Sequence, residues 1–355
     1  MASFRYLHAA DIHLDSPLRG LSRYEGVPVD QIRLASRAAL DNLVDVAISE
    51  GAAFVVIAGD LYDGEWEDVA TGLFFCAAMG RLGQAGIDVF LLYGNHDAAS
   101  VITRTLPLPQ NVRVFSSRKA ETFIHADTGA ALHGQSYASR DPGRDLAADY
   151  PDPVRGVFNI GVLHTALNGG RPPHAPYAPC TPQQLAAKGY QYWALGHVHE
   201  HEIVATEPYI VFPGNLQGRH IREVGAKGAV LVDVVDDAVG AVCHIALDAV
   251  RWARLDVDLT GFLEDDQAHA RVRAALQTLK AESADDRPLM VRVTYVGETP
   301  LHRTLNERRA ELRDVTRALG LAVSDRIWIE KVELKTTAET TADATTSPLD
   351  RKSVV

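Results

Sequence analysis

Five short clusters hold the side chains most able to do chemistry: Asp11-Ile12-His13, Gly59-Asp60-Leu61-Tyr62-Asp63, Gly94-Asn95-His96-Asp97, His164 in Val162-Leu163-His164-Thr165, and Gly196-His197-Val198-His199. Together they offer carboxylate, imidazole and amide donors with no thiolate. That mixture suits Mn, Fe or Zn rather than a soft-metal or Ca site. In Asp-x-His and His-x-His, residues i and i+2 of an extended segment point the same way, so two ligands from one strand end can converge on one site. Glycines 59, 94 and 196 precede the ligands, as expected where backbone must turn sharply or approach a bound group. Taken singly, each cluster has an ordinary explanation: an Asp after a strand is usually a turn or cap residue, and a lone His a satisfied core or surface group. Five in this order, each after an expected strand, are hard to explain by coincidence.

The elements that must position them follow from periodicity. Residues 4–10 read as a strand and 30–50 as a helix with Ile32, Leu40, Leu43, Val44 and Ala47 at helical spacing; 54–58 reads as a buried strand. A helix at 69–82 and a strand at 89–92 continue the β–α alternation of a sheet covered by helices. Strands at 112–115, 122–126, 131–135, 159–163, 192–195, 209–212 and 228–235 follow with fewer helices between them, which predicts sheet against sheet. From about 250 the pattern restarts: strand 253–259, helix 264–281, strand 289–296, helix 305–319, strand 327–334. The expected domains are therefore 1–249, carrying the clusters, and 250–335, a separate βαβαβ unit. The Thr- and Ala-rich segment 336–355 is too poor in large apolar groups to offset its ordering entropy and reads as a disordered tail.

At 355 residues and 46% hydrophobic the chain can bury a full core. Its N-terminal segment has no secretory pattern and no apolar run is long enough for a membrane helix, so a cytoplasmic location without membrane association is expected. Cys76, Cys180 and Cys243 show no disulfide framework or thiolate metal spacing. A net charge of −11 argues mildly against a protein that coats nucleic acid through its global field, although bound divalent ions would cancel part of it. No Gly-x-x-x-x-Gly-Lys-Ser/Thr occurs, so any ATP dependence must come from a partner.

In their order, the clusters resemble the motifs of the calcineurin-like metallophosphoesterase superfamily: DxH, GDxxD, GNH(D/E), a lone His and GHxH. The resemblance implies a four-layer αββα sandwich, here with a smaller C-terminal βαβαβ cap, and two divalent metal ions, most readily Mn2+, with Fe or Zn as alternatives. It implies that Asp11, His13, Asp60 and His199 hold one ion and Asp60, Asn95, His164 and His197 the other, with Asp60 bridging. His96 would contact the scissile phosphate and stabilise or protonate the leaving oxygen, and Asp63 would orient His96 and hold it cationic. A cap for a helix beginning near Trp66 is the plainer role for Asp63.

The motif remainders sort the substrates. Gly-Asp-Leu-Tyr-Asp-Gly-Glu and Gly-Asn-His-Asp depart from the GDxxDRG and GNHE of protein phosphatases. The loop after the first motif, the segment Phe212-Pro213-Gly214-Asn215-Leu216-Gln217-Gly218-Arg219-His220-Ile221-Arg222-Glu223 and the second domain are similar to the YhaO/SbcD-like branch of DNA repair exonucleases. That likeness implies a Mn-dependent DNA exonuclease, also capable of endonuclease action, with DNA and an SMC-like ATPase as partners; a homodimer is one assembly that the sequence leaves open. Arg19, Arg219, His220 and Arg222, with Arg23, could receive flanking phosphates; solvated surface cations are the alternative. His201 reads as an exposed neighbour and His8 as a core residue. Cap-helix cations such as Arg271, Arg273, Lys280, Arg308, Arg309 and Arg313 are diluted by acids and read as a solvated face. Two rivals stand beside the nuclease: a cyclic-nucleotide or other small-molecule phosphodiesterase, which the acidic charge favours, and a DNA-binding assembly subunit stabilised by structural metals.

Overall fold

The computed structural model describes residues 2–16, 29–63, 69–99, 107–167, 177–283 and 285–339. In chain order these form β1 (Phe4–Ala9), α1 (Val29–Ser49), β2 (Phe54–Ala58), α2 (Val69–Gln84), β3 (Asp88–Leu92), β4 (Val112–Val114), β5 (Glu121–Ile124), β6 (Ala131–Gly134), β7 (Asn159–His164), α3 (Pro182–Ala186), β8 (Tyr192–Gly196), β9 (Glu202–Thr206), β10 (Tyr209–Phe212), β11 (Gly228–Val235) and β12 (Ala238–Ala246). They continue with β13 (Arg251–Asp258), α4 (Asp265–Glu282), β14 (Leu289–Glu298), α5 (His302–Glu307), α6 (Arg309–Val323) and β15 (Ile327–Thr337). The chain divides into two compact units, the first ending at Trp252 and the second beginning at Ala253.

The first unit is built on two six-stranded mixed sheets, ordered β12-β11-β1-β2-β3-β4 and β5-β6-β7-β8-β10-β9. Alternation along each strand explains how they stack. In β2, Val55 and Ile57 pack with Leu40, Leu43 and Val44 of α1 and Phe75, Met79 and Leu82 of α2. Phe54, Val56 and Ala58 point the other way, toward Leu132, Ile160, Val162 and Tyr192 of the second sheet. Both faces of β2 are covered, so all its residues are buried and it reads as a continuous apolar run. Burial of each such large side chain stabilises by roughly 1.5–3 kcal/mol.

The expected αββα sandwich is thus present, but its fourth layer is thin. Among the described residues, the outer face of the second sheet (Leu163, Trp193, Leu195, Phe212) is covered by Tyr137, Leu146, Tyr150, Leu167 and Leu185, from loops, short turns and the single-turn α3. Two strands escaped the sequence reading, β9 and β12. Both lie at sheet edges and follow directly on a neighbouring strand, β9 ahead of β10 and β12 after β11.

The second unit pairs β13-β14-β15, with β14 and β15 parallel, around Val272, Leu276, Leu289, Val293, Tyr295 and Ile329. Two corrections apply to it. The single helix expected over 305–319 is broken at Arg308 (φ −107°, ψ 33°) into α5 and α6. The tail expected from 336 does not start there: Thr336 and Thr337 pair with Gly297 and Glu298, and His302 Nδ1 lies 2.9 Å from Thr336 Oγ1. Residues 340–355 lie outside the described residues. Among the described residues no helix is long and apolar enough to cross a membrane.

Candidate metal centre

β1, β2 and β3 run parallel in one sheet, and β6, β7 and β8 run parallel in the other. All five clusters stand at the carboxyl ends of these strands, where open sheets leave a crevice. Asp11 and His13 follow β1, Asp60 follows β2, Asn95 and His96 follow β3, His164 ends β7, and His197 and His199 follow β8. The turn that aims them is strained: Asp11 (φ 50°), His13 (φ 45°), Asp60 (φ 53°) and His197 (φ 99°) all adopt positive φ. Such conformations persist only where surrounding structure enforces them, and they cluster at functional sites. Here the Asp11 N–H donates to Gly59 O and the His13 N–H to Asp60 O, zipping the first two loops together. Asp97 accepts from the backbone N–H groups of Leu61, Tyr62 and Gly94, which ties the second loop to the third.

The ligand atoms fall into groups. Asp11, His13 and His199 converge on one point, and Asp60, His164 and His197 on another. His13 Nε2 is 3.3 Å from His199 Nε2 and 3.9 Å from Asp60 Oδ2, and His199 Nε2 is 3.7 Å from Asp11 Oδ1. His164 Nε2 is 2.9 Å from Asn95 Oδ1 and 3.4 Å from Asp60 Oδ2. Asp60 therefore borders both groups.

Tautomers test whether these residues fit cations. His164 donates Nδ1–H to Ala58 O (2.9 Å), which turns its Nε2 toward two oxygens. His199 has its Nδ1 2.8 Å from Glu223 Oε1, which turns its Nε2 toward Asp11 and His13. Inward lone pairs facing other acceptors need positive charge between them, and a divalent ion or a proton supplies it. Burial opposes the charged His164, yet Asp60, Asp11 and the Ala58 carbonyl outweigh it and push its pKa up to about 9. Burial would also raise Asp60, but His164, His13 and His96 hold it well below the carboxylate range. Asp11, desolvated in the same core, is raised. The donor set is hard-to-borderline N and O, and it fits two divalent ions. Gly94 makes room for them: a Cβ there would lie 2.4 Å from Asp60 Oδ1 and 2.9 Å from His164 Cε1.

His96 and Asp63 form a third convergent group, which shares His13 with the first. His96 Nδ1 is 2.7 Å from Asp63 Oδ1, its backbone N–H donates to Asp60 Oδ1, and its ring meets that of His13 edge-on at 5.0 Å. Burial disfavours the imidazolium, but the bond to Asp63 and the charges of Asp60 and Asp63 outweigh it and raise the pKa. Asp63 also accepts from Ser16 Oγ at 2.5 Å. The helix near Trp66 that Asp63 could have capped lies outside the described residues, as do Arg19 and Arg23.

Of the expected phosphate-binding residues, Arg219 is brought closest. Its NH2 is 2.9 Å from Glu223 and 3.2 Å from His199 Nδ1, and its NH1 is 3.9 Å from Asp63. His220 and Arg222 are exposed, His220 with Nε2 3.8 Å from Glu223. His201 stacks on His244 and sits 3.1 Å from Phe212 O. His8 is fully buried between Tyr192 Oη and Leu195 O, a core histidine. Asp97, Tyr137 (Oη donating to His164 O, 2.6 Å) and Glu223 were not assigned roles from sequence. Only Asp97 had a local signal, its adjacency to His96.

The calcineurin-like phosphoesterase family model matches residues 4–201, and the model for the metallophosphoesterase YhaO middle domain matches 252–337. The chain is 33% identical over 304 residues to the uncharacterized metallophosphoesterase YhaO of Bacillus subtilis, covering 84% of this chain and 73% of that protein. It is 21% identical over 351 residues to the DNA double-strand break repair protein Mre11 of Sulfolobus acidocaldarius, covering 94% and 86%. To the protein of that name from Haloferax volcanii it is 26% identical over 298 residues, covering 83% and 62%.

Proposed function

The chain belongs to the calcineurin-like phosphoesterase family, and from that premise we propose that it is a two-metal DNA phosphodiesterase. The reading is a manganese-dependent exonuclease, with endonuclease action at structured ends, working in DNA repair or end processing beside an SMC-like ATPase. The observation that carries the phosphodiester chemistry is the pair of ligand groups bordering Asp60 with His96 held beside them by Asp63. The likeness to two proteins named for DNA double-strand break repair supports DNA as the substrate.

Asp11, His13, Asp60 and His199 would hold one ion, and Asp60, Asn95, His164 and His197 the other. When bound, the ions supply Lewis-acid polarisation of phosphoryl oxygens and an activated nucleophile at neutral pH. The chain's own residues do the rest. His96 spends Nδ1–H on Asp63, so Nε2–H is the proton it can give to the leaving oxygen. Asp60 accepts the His96 N–H and thereby fixes that imidazole relative to the ligand groups.

The rival reading, a cyclic-nucleotide or small-molecule phosphodiesterase, draws support from the net charge of −11 and from the cap cations. Arg308 is engaged by Asp265 and Glu311, Arg303 by Glu307 and Lys280 by Asp286, so the charge of these three is offset by acids of their own unit. The deciding experiment is manganese-dependent release of nucleotides from an end-labelled linear duplex, with His96→Ala and Asp60→Ala alongside and a cyclic nucleotide as competing substrate. Release by the wild type alone is expected; an inert duplex beside a hydrolysed cyclic nucleotide would replace the nuclease by its rival.

A further inference from the structure

The segment after β10 wraps back onto the metal centre, and its polar side chains converge on one carboxylate. Glu223 is 6% exposed. Its Oε1 lies 2.8 Å from His199 Nδ1 and 2.9 Å from Arg219 NH2. Its Oε2 accepts from the Arg219 backbone N–H (2.8 Å) and from Asn215 Nδ2 (3.0 Å). The same segment grips His199 a second time, since Lys227 Nζ donates to His199 O at 2.7 Å. It is anchored at its far side by a parallel bridge between Asn215 and Ala10, the residue before Asp11. Gly214, at φ +81°, packs under the 199–201 backbone, where a Cβ would stand 3.0 Å from His201 N.

We infer that Glu223 is the positioning residue of the first ion site: it fixes the tautomer and ring plane of His199, so that Nε2 faces Asp11 and His13, and Arg219 and Asn215 hold Glu223 in place to do so. The assignment rests on the two-ion reading above and deepens it. A ligating imidazole whose other nitrogen donates to a carboxylate is oriented and made more basic, and loss of such an outer partner typically costs about 10–100-fold in metal affinity. His164 in the other group is oriented differently, by the carbonyl of Ala58. The two acceptors that orient His164 and His199 thus come from unrelated parts of the chain: Ala58 O from β2 and Glu223 from the 213–227 segment.

That asymmetry makes the inference testable without measuring catalysis. Glu223→Gln keeps the shape but replaces one acceptor oxygen by an NH2 that must face a donor, either His199 or the Asn215–Arg219 side. Manganese titration of the full chain by calorimetry, with electron paramagnetic resonance to distinguish a coupled ion pair from a single ion, should show one site weakened about 10–100-fold and the other retained. Glu223→Asp, which keeps the charge on a shorter arm, should fall between the two and serves if Glu223→Gln does not fold. Circular dichroism of the metal-free proteins checks that each variant is native. Equal weakening of both sites would assign Glu223 a general structural role and overturn the inference, as would two sites unchanged from wild type. Wild type that takes up no coupled pair would instead overturn the two-ion reading itself.

Discussion

Replacing Asp63 by Asn tests the role given to His96 most directly, because the exchange removes a charge and leaves the geometry. An Asn Oδ1 can still accept the His96 Nδ1–H now 2.7 Å away. A charge-assisted hydrogen bond contributes about 1.5–3 kcal/mol and a neutral one about 0.5–1.5. With His96 32% and Asp63 22% exposed at the side chain, solvent screens part of the difference, and the lower end applies. The loss is then roughly 1–1.5 kcal/mol of preference for the imidazolium, about one pKa unit. The sign follows from the direction of the shift: Asp63 raises the His96 pKa, and the protonated ring is the working form. Activity is therefore present below that pKa and falls as pH rises through it. In Asp63→Asn the fall should begin about one unit lower. The assay is the pH dependence of kcat on a duplex substrate, with manganese affinity measured in parallel and expected to be unchanged. A bis(para-nitrophenyl) phosphate control, whose leaving group needs no proton, should be far less affected. An alkaline limb that stays in place, or moves upward, would refute the assignment of His96 as the proton donor.

Gly94→Ala should disturb both ions at once, because its Cβ would stand 2.4 Å from Asp60 Oδ1 and 2.9 Å from the Asp60 backbone nitrogen; a melting curve should show a loss of about 1–3 kcal/mol and a titration weaker manganese binding. Since the metal-free His164 has its pKa pushed up to about 9, it carries a proton at neutral pH that an ion must displace. Apparent manganese affinity should fall as pH drops below that value, and calorimetry in buffers of different ionisation enthalpy should detect proton release on binding. Tyr6 is fully buried with a hydroxyl that meets no hydrogen-bond partner among the described residues; Tyr6→Phe should leave stability unchanged or raise it by up to about 1–3 kcal/mol in a denaturant titration.

Sequence by itself determined the parts of this protein whose signals are local. Each cluster follows an apolar run, and runs such as Phe54–Ala58 mark strands covered on both faces; the extended geometry expected for Asp-x-His and His-x-His gives way to positive-φ turns at Asp11, His13 and His197, and His197 and His199 face different ligand groups. The crevice was legible because ligands recur at the ends of successive strands. Strands β9 and β12 were not legible: neither holds a fully buried residue, so neither shows the sharp buried-and-exposed alternation of a core strand. Only the tertiary structure decided what stands behind the ligands. Glu223 meets His199 across 24 residues of sequence and Tyr137 meets His164 across 27. His8 looks no different in sequence from the ligating histidines, yet it points between the sheets to Tyr192 and Leu195 and not into the crevice. The physical reason is common to all three: a side chain's partner, and hence its tautomer and charge, is set by crossover connections that bring distant strands together, and spacing along the chain carries no record of which ones meet.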